Sequence, residues 1–353
     1  MDTDTQLDDP RTARPDRPVA PASVRKALKI LALGWYDRLN AGDDRLRYAI
    51  SHLFEPHPVT FLNLWSYPVP FDLLREQDWV IIGGGGLWVG RGMGLISTAA
   101  RWHPRIRARL GVLGVSVENL EPHREATEYL LEHAEFFHTR DSASAEALAR
   151  PGRVETYADL TFGVPYDRVD GPRRGVLVSV AGNFSGDPID WSSLGGVLRD
   201  AEARGLPLNE WESDDRAALE SLGVPSAPRF DINALASAEL VVTSRFHAIV
   251  FCIQVGTPFV ALAGNRKIEH ICRELGFEDW LVPAFDPEAL GAQLRSRRPA
   301  SARDFARLDA ARARSVELAS RQREAVRGLI EAREPRRYDF LHRAKHGLLR
   351  RIS

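Results

Sequence analysis

Residues Glu239 to Leu262 read ELVVTSRFHAIVFCIQVGTPFVAL, and the fold turns on them. Leu240-Val241-Val242 is a short apolar run of the kind found in buried parallel strands. Thr243-Ser244 follows with helix-capping chemistry. His247 to Val255 is apolar on nearly every side, which suits a helix packed inside the protein. Gly256-Thr257-Pro258 ends it, and Phe259 to Leu262 reads as the next buried strand. The stretch is therefore strand, tight turn, helix, turn, strand. Arg245 and His247 fall beyond the carboxyl end of a strand, where open α/β sheets bind ligands. A helix N-terminus offers free N–H groups to an anion, Arg245 a fixed charge, and His247 a proton exchanged near neutral pH. Taken alone, an exposed arginine beside a core histidine explains the pair equally well.

Outward from this stretch, strands alternate with helices along most of the chain. Ala27–Trp35 reads as a first strand, and Asp43 opens a helix to Phe54 with Leu46, Ala49, Ile50 and Leu53 at helical spacing. Pro58–Trp65 is a strand, and Asp78–Gly86 is another that runs into four glycines. That run lacks the spacing and the downstream acid of a dinucleotide fingerprint. It is either a ligand loop or a tight turn. Arg109–Val117, Glu135–His138 and Val154–Ala158 complete this series. Arg140 again lies just past a strand, as an anion contact or as the partner of a neighbouring carboxylate. A second series follows: strands at Gly175–Val180 and Leu206–Trp211, with helices at Asp190–Arg204, Ser213–Leu222 and Asp231–Ala238. Helices at Asn265–Leu275, Pro287–Arg295 and Ser301–Ala332 end it.

Two alternating series imply two doubly wound parallel sheets facing a cleft. The expected boundaries are a disordered segment at 1–23, a first domain at 24–164, a linker at 165–174, a second domain at 175–300, and a helix with a basic tail at 301–353. The length of 353 residues fits two ordinary domains. A net charge of −1 gives no reason to expect nucleic acid as a partner. Cys252 and Cys272 read as apolar residues of a reduced, cytoplasmic protein. No stretch makes a membrane span, and no Cys/His spacing marks a metal site. The tail from Arg336 to Arg351 interleaves basic and apolar residues. It is either a peripheral contact with anionic lipid or a solvated helix.

Four pieces together resemble the polysaccharide pyruvyl transferase family. They are Asn40-Ala41-Gly42-Asp43-Asp44, Asp78 to Gly85 (DWVIIGGG), Arg140-Asp141 with Ser144 and Leu148, and Ser244-Arg245-Phe246-His247-Ala248 through Gly256-Thr257-Pro258. Lys267 stands where a lysine commonly follows. Gly86-Leu87-Trp88 departs from the small polar residue often seen after the glycines. The resemblance spans about Lys29 to Leu281. It implies two Rossmann-like domains similar to the glycosyltransferase-B arrangement. It also implies transfer of a pyruvyl group from phosphoenolpyruvate, a co-substrate and not a bound cofactor, to the hydroxyls of a sugar or lipid-linked saccharide. A divalent metal is neither implied nor excluded. Carried onto these residues, Arg245, Arg140, Lys267 and Ser244 hold the donor, and His247 is the general acid. Asp43 or Asp44 is the base, unless Asp43 only caps its helix. Asn40, Gly42, Gly83, Gly84 and Gly85 lie on loops near the substrate. The rivals are a nucleotide-sugar glycosyltransferase on the same architecture and a non-catalytic sugar-binding relative.

Overall fold

A computed structural model describes residues 27–63, 70–88, 92–169, 171–184, 187–188, 191–210 and 214–332. The segment expected to be disordered at 1–23 and the basic tail lie outside the described residues.

The strands are β1 (Ile30–Gly34), β2 (Val59–Asn63), β3 (Trp79–Gly86), β4 (Arg109–Ser116), β5 (Phe137–Thr139), β6 (Glu155–Thr156), β7 (Val176–Ser179), β8 (Asn183–Phe184), β9 (Asp187–Pro188), β10 (Arg204–Gly205), β11 (Leu240–Thr243), β12 (Phe259–Ala263) and β13 (Leu281–Pro283). The helices are α1 (Ala41–Phe54), α2 (Phe71–Arg75), α3 (Gly92–Trp102), α4 (Arg124–His133), α5 (Ser142–Leu148), α6 (Gly195–Asp200), α7 (Asp214–Ser221), α8 (Ile232–Ser237), α9 (Phe246–Val255), α10 (Arg266–Leu275), α11 (Pro287–Ser296) and α12 (Ala302–Ala332).

The first sheet has the order β2-β1-β3-β4-β5-β6 and the second β10-β7-β11-β12-β13, and neighbouring strands in both run parallel. Both orders reverse direction once. The reversal lies between β1 and β3 in one sheet and between β7 and β11 in the other. Such switch points leave a crevice at the carboxyl ends of the strands. The chain therefore has the two doubly wound domains that its alternation implies. Apolar clusters cover both faces of each sheet, as buried parallel strands require.

Helix α9 is the centre of the second domain, and all ten of its residues are buried. Each large apolar side chain hidden this way contributes about 1.5–3 kcal/mol. Gly256 ends the helix with φ 72°, the left-handed conformation that glycine adopts without strain. Helix α12 belongs to both domains. Its Leu308, Ala311 and Ala319 join the core around α9, whereas Val326 and Ile330 join the core beneath β1 and β3.

Several expectations differ from the structure. The strand expected from Leu206 to Trp211 is not formed over residues 207–210: the chain leaves the second sheet after Leu206, whose N–H bonds Val178 O at 2.8 Å, and Trp211 lies outside the described residues. Pro207 has no N–H to give a ladder, and residues 208–210 pair with the first domain instead. The helix expected from Asp190 to Arg204 is confined to α6, preceded by a 3-10 turn at Ser192–Leu194. The helix stops at Asp200 because Glu202 just beyond it takes φ 53°, a left-handed conformation through which a right-handed helix does not continue. The glycines after Asp78 extend β3 and do not form a loop. Gly84 and Gly85 take φ 84° and 89° within it. No sequence pattern marked α3 or β13. The first opens on Gly92 and Gly94, and the second is three residues long.

Candidate active site

The second domain brings three of the expected residues to the end of β11. Thr243 Oγ1 donates to Ser179 O at 2.7 Å and accepts from Arg245 N at 2.9 Å. Ser244 Oγ accepts from Ala181 N at 2.9 Å. These hydroxyls stitch the ends of β7 and β11 together and do not cap α9. Arg245 is the N-cap residue, and it makes no side-chain capping bond. The first N–H groups of α9 are therefore not satisfied by the cap residue's side chain, an arrangement that favours an anion. Ser244 is buried and its Oγ is engaged with backbone, which makes it a framework residue for the turn.

The first domain approaches from the opposite side through the N-terminus of α1. Asn40 is its cap: Oδ1 accepts from Gly42 N at 3.1 Å. Asp43 is therefore the third helical residue and not the cap. Asp44 turns away. Its Oδ1 accepts from Asp37 N at 3.1 Å, and the N–H of Arg38 adds a second bond. Asp44 thus fixes the loop after β1, where Asp37 and Leu39 hold positive φ angles of 57° and 52°.

The two halves interlock at Gly42 and His247. A Cβ on Gly42 would stand 2.0 Å from His247 Nδ1 and 2.2 Å from Cγ. Nothing larger than glycine leaves room for the imidazole. His247 is 9% exposed. Its Nε2 lies 3.7 Å from Asp159 Oδ2, within ion-pair range but beyond hydrogen-bond range. Asp159 follows β6 and is itself held by Thr161, through N (3.0 Å) and Oγ1 (2.7 Å), and by Arg140 Nη1 (3.1 Å). Burial opposes its charge, yet His247, Arg140 and Thr161 together hold its carboxyl well below the usual carboxylate range. Asp43 behaves in the opposite way. Burial pushes its carboxyl above the ordinary range, against the pull of His247, Arg140 and Lys267. Two carboxylates beside one histidine are thus driven apart in acidity.

Arg140 is where the ion-pair alternative holds. Its side chain is 3% exposed. Nε donates to Ser116 Oγ at 2.7 Å, Nη1 goes to Asp159, and the guanidinium lies 3.8 Å over the Phe246 ring. It supports the site from beneath. Arg245, with a side chain 22% exposed, donates from Nη2 to Asp215 Oδ1. Lys267 reaches across the domains, its Nζ 3.3 Å from Glu118 Oε1. Gly85 borders the same space: a Cβ there would meet Asp43 Oδ1 at 3.4 Å.

Asn40, Gly42, Asp43, Gly85, Arg245, His247 and Lys267 therefore converge on one interdomain cleft, whereas Asp44, Ser244 and Arg140 hold its walls. Gly83 and Gly84 lie deeper along β3, where Gly83 O accepts from the Tyr36 hydroxyl and Gly84 packs on Leu46. Sequence reasoning missed Asp159, Asp215 and Glu118. Asp159 stands just past a short strand, the same placement that singled out Arg140 and Arg245. Asp215 is hidden in the charged run Asp214-Asp215-Arg216. Among the described residues, no three His, Cys, Asp or Glu side chains come together as a metal site.

Two parallel doubly wound sheets with facing switch points define a two-domain protein of the glycosyltransferase-B type. Solved structures share this fold. S. aureus MnaA in complex with UDP is similar with a TM-score of 0.59 and 10% identity, covering 89% of this chain and 100% of that one. Anabaena Alr3699/HepE in complex with UDP has a TM-score of 0.58 and 13% identity over 87% and 100%. The calicheamicin glycosyltransferase CalG4 has 0.53 and 12% over 88% and 100%. No curated protein sequence matches the chain. Residues 26–224 and 231–266 match the polysaccharide pyruvyl transferase family, and the chain belongs to it. The match contains all the cleft residues except Lys267, which begins just beyond it. No helix among the described residues is long and apolar enough to cross a membrane.

Proposed function

We propose that the protein transfers a pyruvyl group from phosphoenolpyruvate to two hydroxyls of a saccharide, forming a ketal and releasing inorganic phosphate. The observation that carries this reading is the interlock of His247 with Gly42, which sets Asp43 beside a histidine on the first turn of a helix whose N-cap residue makes no side-chain capping bond.

Phosphoenolpyruvate carries a carboxylate and a phosphate. Arg245, the N-terminus of α9 and Lys267 supply the positive field for them. His247 delivers a proton to the methylene carbon, which leaves the adjacent carbon electrophilic. The first acceptor hydroxyl adds there as Asp43 takes its proton. A carboxylate with a raised pKa is the better base for that step. The bond from this carbon to the phosphate oxygen then breaks, and phosphate departs against Arg245 and Lys267. The second hydroxyl adds to the resulting oxocarbenium carbon, and its proton passes to the departing phosphate or to solvent. The acceptor is a saccharide, free or lipid-linked.

The test is release of inorganic phosphate from phosphoenolpyruvate with a panel of sugars and lipid-linked saccharides. Acceptor-dependent release that Arg245→Ala abolishes supports the reading. Binding of UDP, with no binding of phosphoenolpyruvate, transfers the cleft to a nucleotide-sugar substrate.

A further inference from the structure

Asp215 is a fully buried carboxylate that touches two structures at once. Its Oδ1 accepts from Arg245 Nη2, on the anion side of the cleft. Its Oδ2 accepts from Leu208 N at 3.0 Å and Asn209 N at 2.8 Å. Those two residues belong to the segment that bonds directly to the first domain. Ala41 N donates to Leu208 O at 2.9 Å, and Glu210 N donates to Leu39 O at 2.9 Å. Ala41 is the first residue of α1, and Gly42 and Asp43 come immediately after it. An unbroken series of bonds therefore runs from Arg245 through Asp215 and residues 208–210 to the base side of the cleft.

We propose that Asp215 is a positioning residue that couples donor binding at Arg245 to the docking of α1 on the second domain. A buried carboxylate must keep its partners, because a bare charge there is strongly disfavoured. Arg245 therefore stays anchored to Asp215 when it grips an anion. An anion that steadies Arg245 steadies Asp215, the 208–210 segment and, through it, Gly42 and Asp43. By reciprocity, whatever loosens the contact between the domains weakens the anion. The choice of donor in this argument rests on the function proposed above; the coupling itself does not.

The test uses the full chain and a substitution that takes away one backbone bond between the domains. Ala41→Pro removes the N–H that bonds Leu208 O. Proline suits the first position of a helix, and Asn40 before it is extended, with φ −106° and ψ 108°. Calorimetric titration with phosphoenolpyruvate compares wild type, Ala41→Pro, Asp215→Asn and the double variant. Each single change is expected to weaken binding on the order of tenfold, and the double variant to be little worse than the poorer single one. Unchanged binding in Ala41→Pro, or fully additive losses, overturns the coupling. Hydrogen exchange without ligand gives a second reading. Asp215→Asn should speed exchange across residues 38–46, and Ala41→Pro should speed it across 214–220. Protection unchanged in both segments also overturns it. If wild type binds UDP and no phosphoenolpyruvate, the donor assignment fails, and the same cycle titrated with UDP still decides the coupling.

Discussion

His247 and Gly42 occupy one volume: the imidazole of the second domain sits where a side chain on the first would have to be. Because residue 42 is the second of α1, this contact sets the distance between the helix that carries Asp43 and the helix that carries His247. Ala at position 42 would put a methyl 2.0 Å from Nδ1, and one element must then move. Gly42→Ala should cost about 1–3 kcal/mol of stability through overpacking. It should lower kcat/KM on the order of 10²-fold, since misplacement by about 1 Å carries that penalty. Thermal unfolding and phosphate release check the two halves separately.

Asp43 and Asp44 are neighbours with different duties. Asp43→Asn removes the proposed base and, on that proposal, should reduce transfer on the order of 10²-fold or more while leaving phosphoenolpyruvate bound. Its raised pKa means that folding favours the protonated form. Stability from this group is therefore greatest at low pH and declines as pH rises through the folded-state value. The neutral asparagine should then hold or raise Tm at pH 7. Asp44→Asn weakens a loop contact, and its effect on kcat should be several-fold smaller. For the wild type, kcat/KM should fall on the acid side with an apparent pKa above the ordinary aspartate value of about 3.9.

The opposite signature is expected at Arg140. Arg140→Ala leaves Asp159 buried without its guanidinium partner, a change that costs about 3–5 kcal/mol. Unfolding in denaturant should register it as a lower midpoint, with activity lost in proportion to the loss of fold. A variant that keeps wild-type stability and loses only phosphoenolpyruvate affinity would show that Arg140 is a donor ligand after all.

His138 ties pH to the docking of α12. It is buried in the middle of β5, with its Nδ1 3.4 Å from Gln322 Nε2 on that helix, and burial lowers its pKa to about 4 in spite of Glu155 nearby. The unfolded chain takes up the proton near 6.5, so the stabilisation from neutral His138 is complete above about pH 6.5 and is lost as pH falls towards 4. The full effect is at most about 3 kcal/mol. His138→Gln should flatten the pH dependence of Tm in that window, as followed by calorimetric scans from pH 4 to 7.

Much of this was legible in the sequence because the signals were local. The apolar run at Leu240 and the Gly256-Thr257-Pro258 stop are written within one turn of the chain, and so is the Arg245–His247 spacing at a strand end. The exact cap of α1 was not, because Asn40 and Asp43 are both good caps and only geometry chooses between them. The roles of Asp159 and Asp215 were not legible for another reason. Their roles come from partners 88 and 30 residues away, His247 and Arg245, and no pattern along the chain records such pairings. Arg140 shows the limit from the other side: its sequence context is that of a ligand-binding residue, and its burial is that of a support.

The course of α12 has a consequence for how the chain is made. Val326 and Ile330 complete the apolar core beneath β1 and β3, yet they are synthesised almost three hundred residues after Ile30. A ribosome that has finished the first domain has therefore not finished that domain's interior. The sheet emerges with one flank covered by α1 but still open where Val326 and Ile330 will pack, and it stays so until the second domain has been built and the long helix laid back across it. Domains generally fold as units, N-terminal first. Here the order is partly inverted, and the first-made half is the last to be sealed.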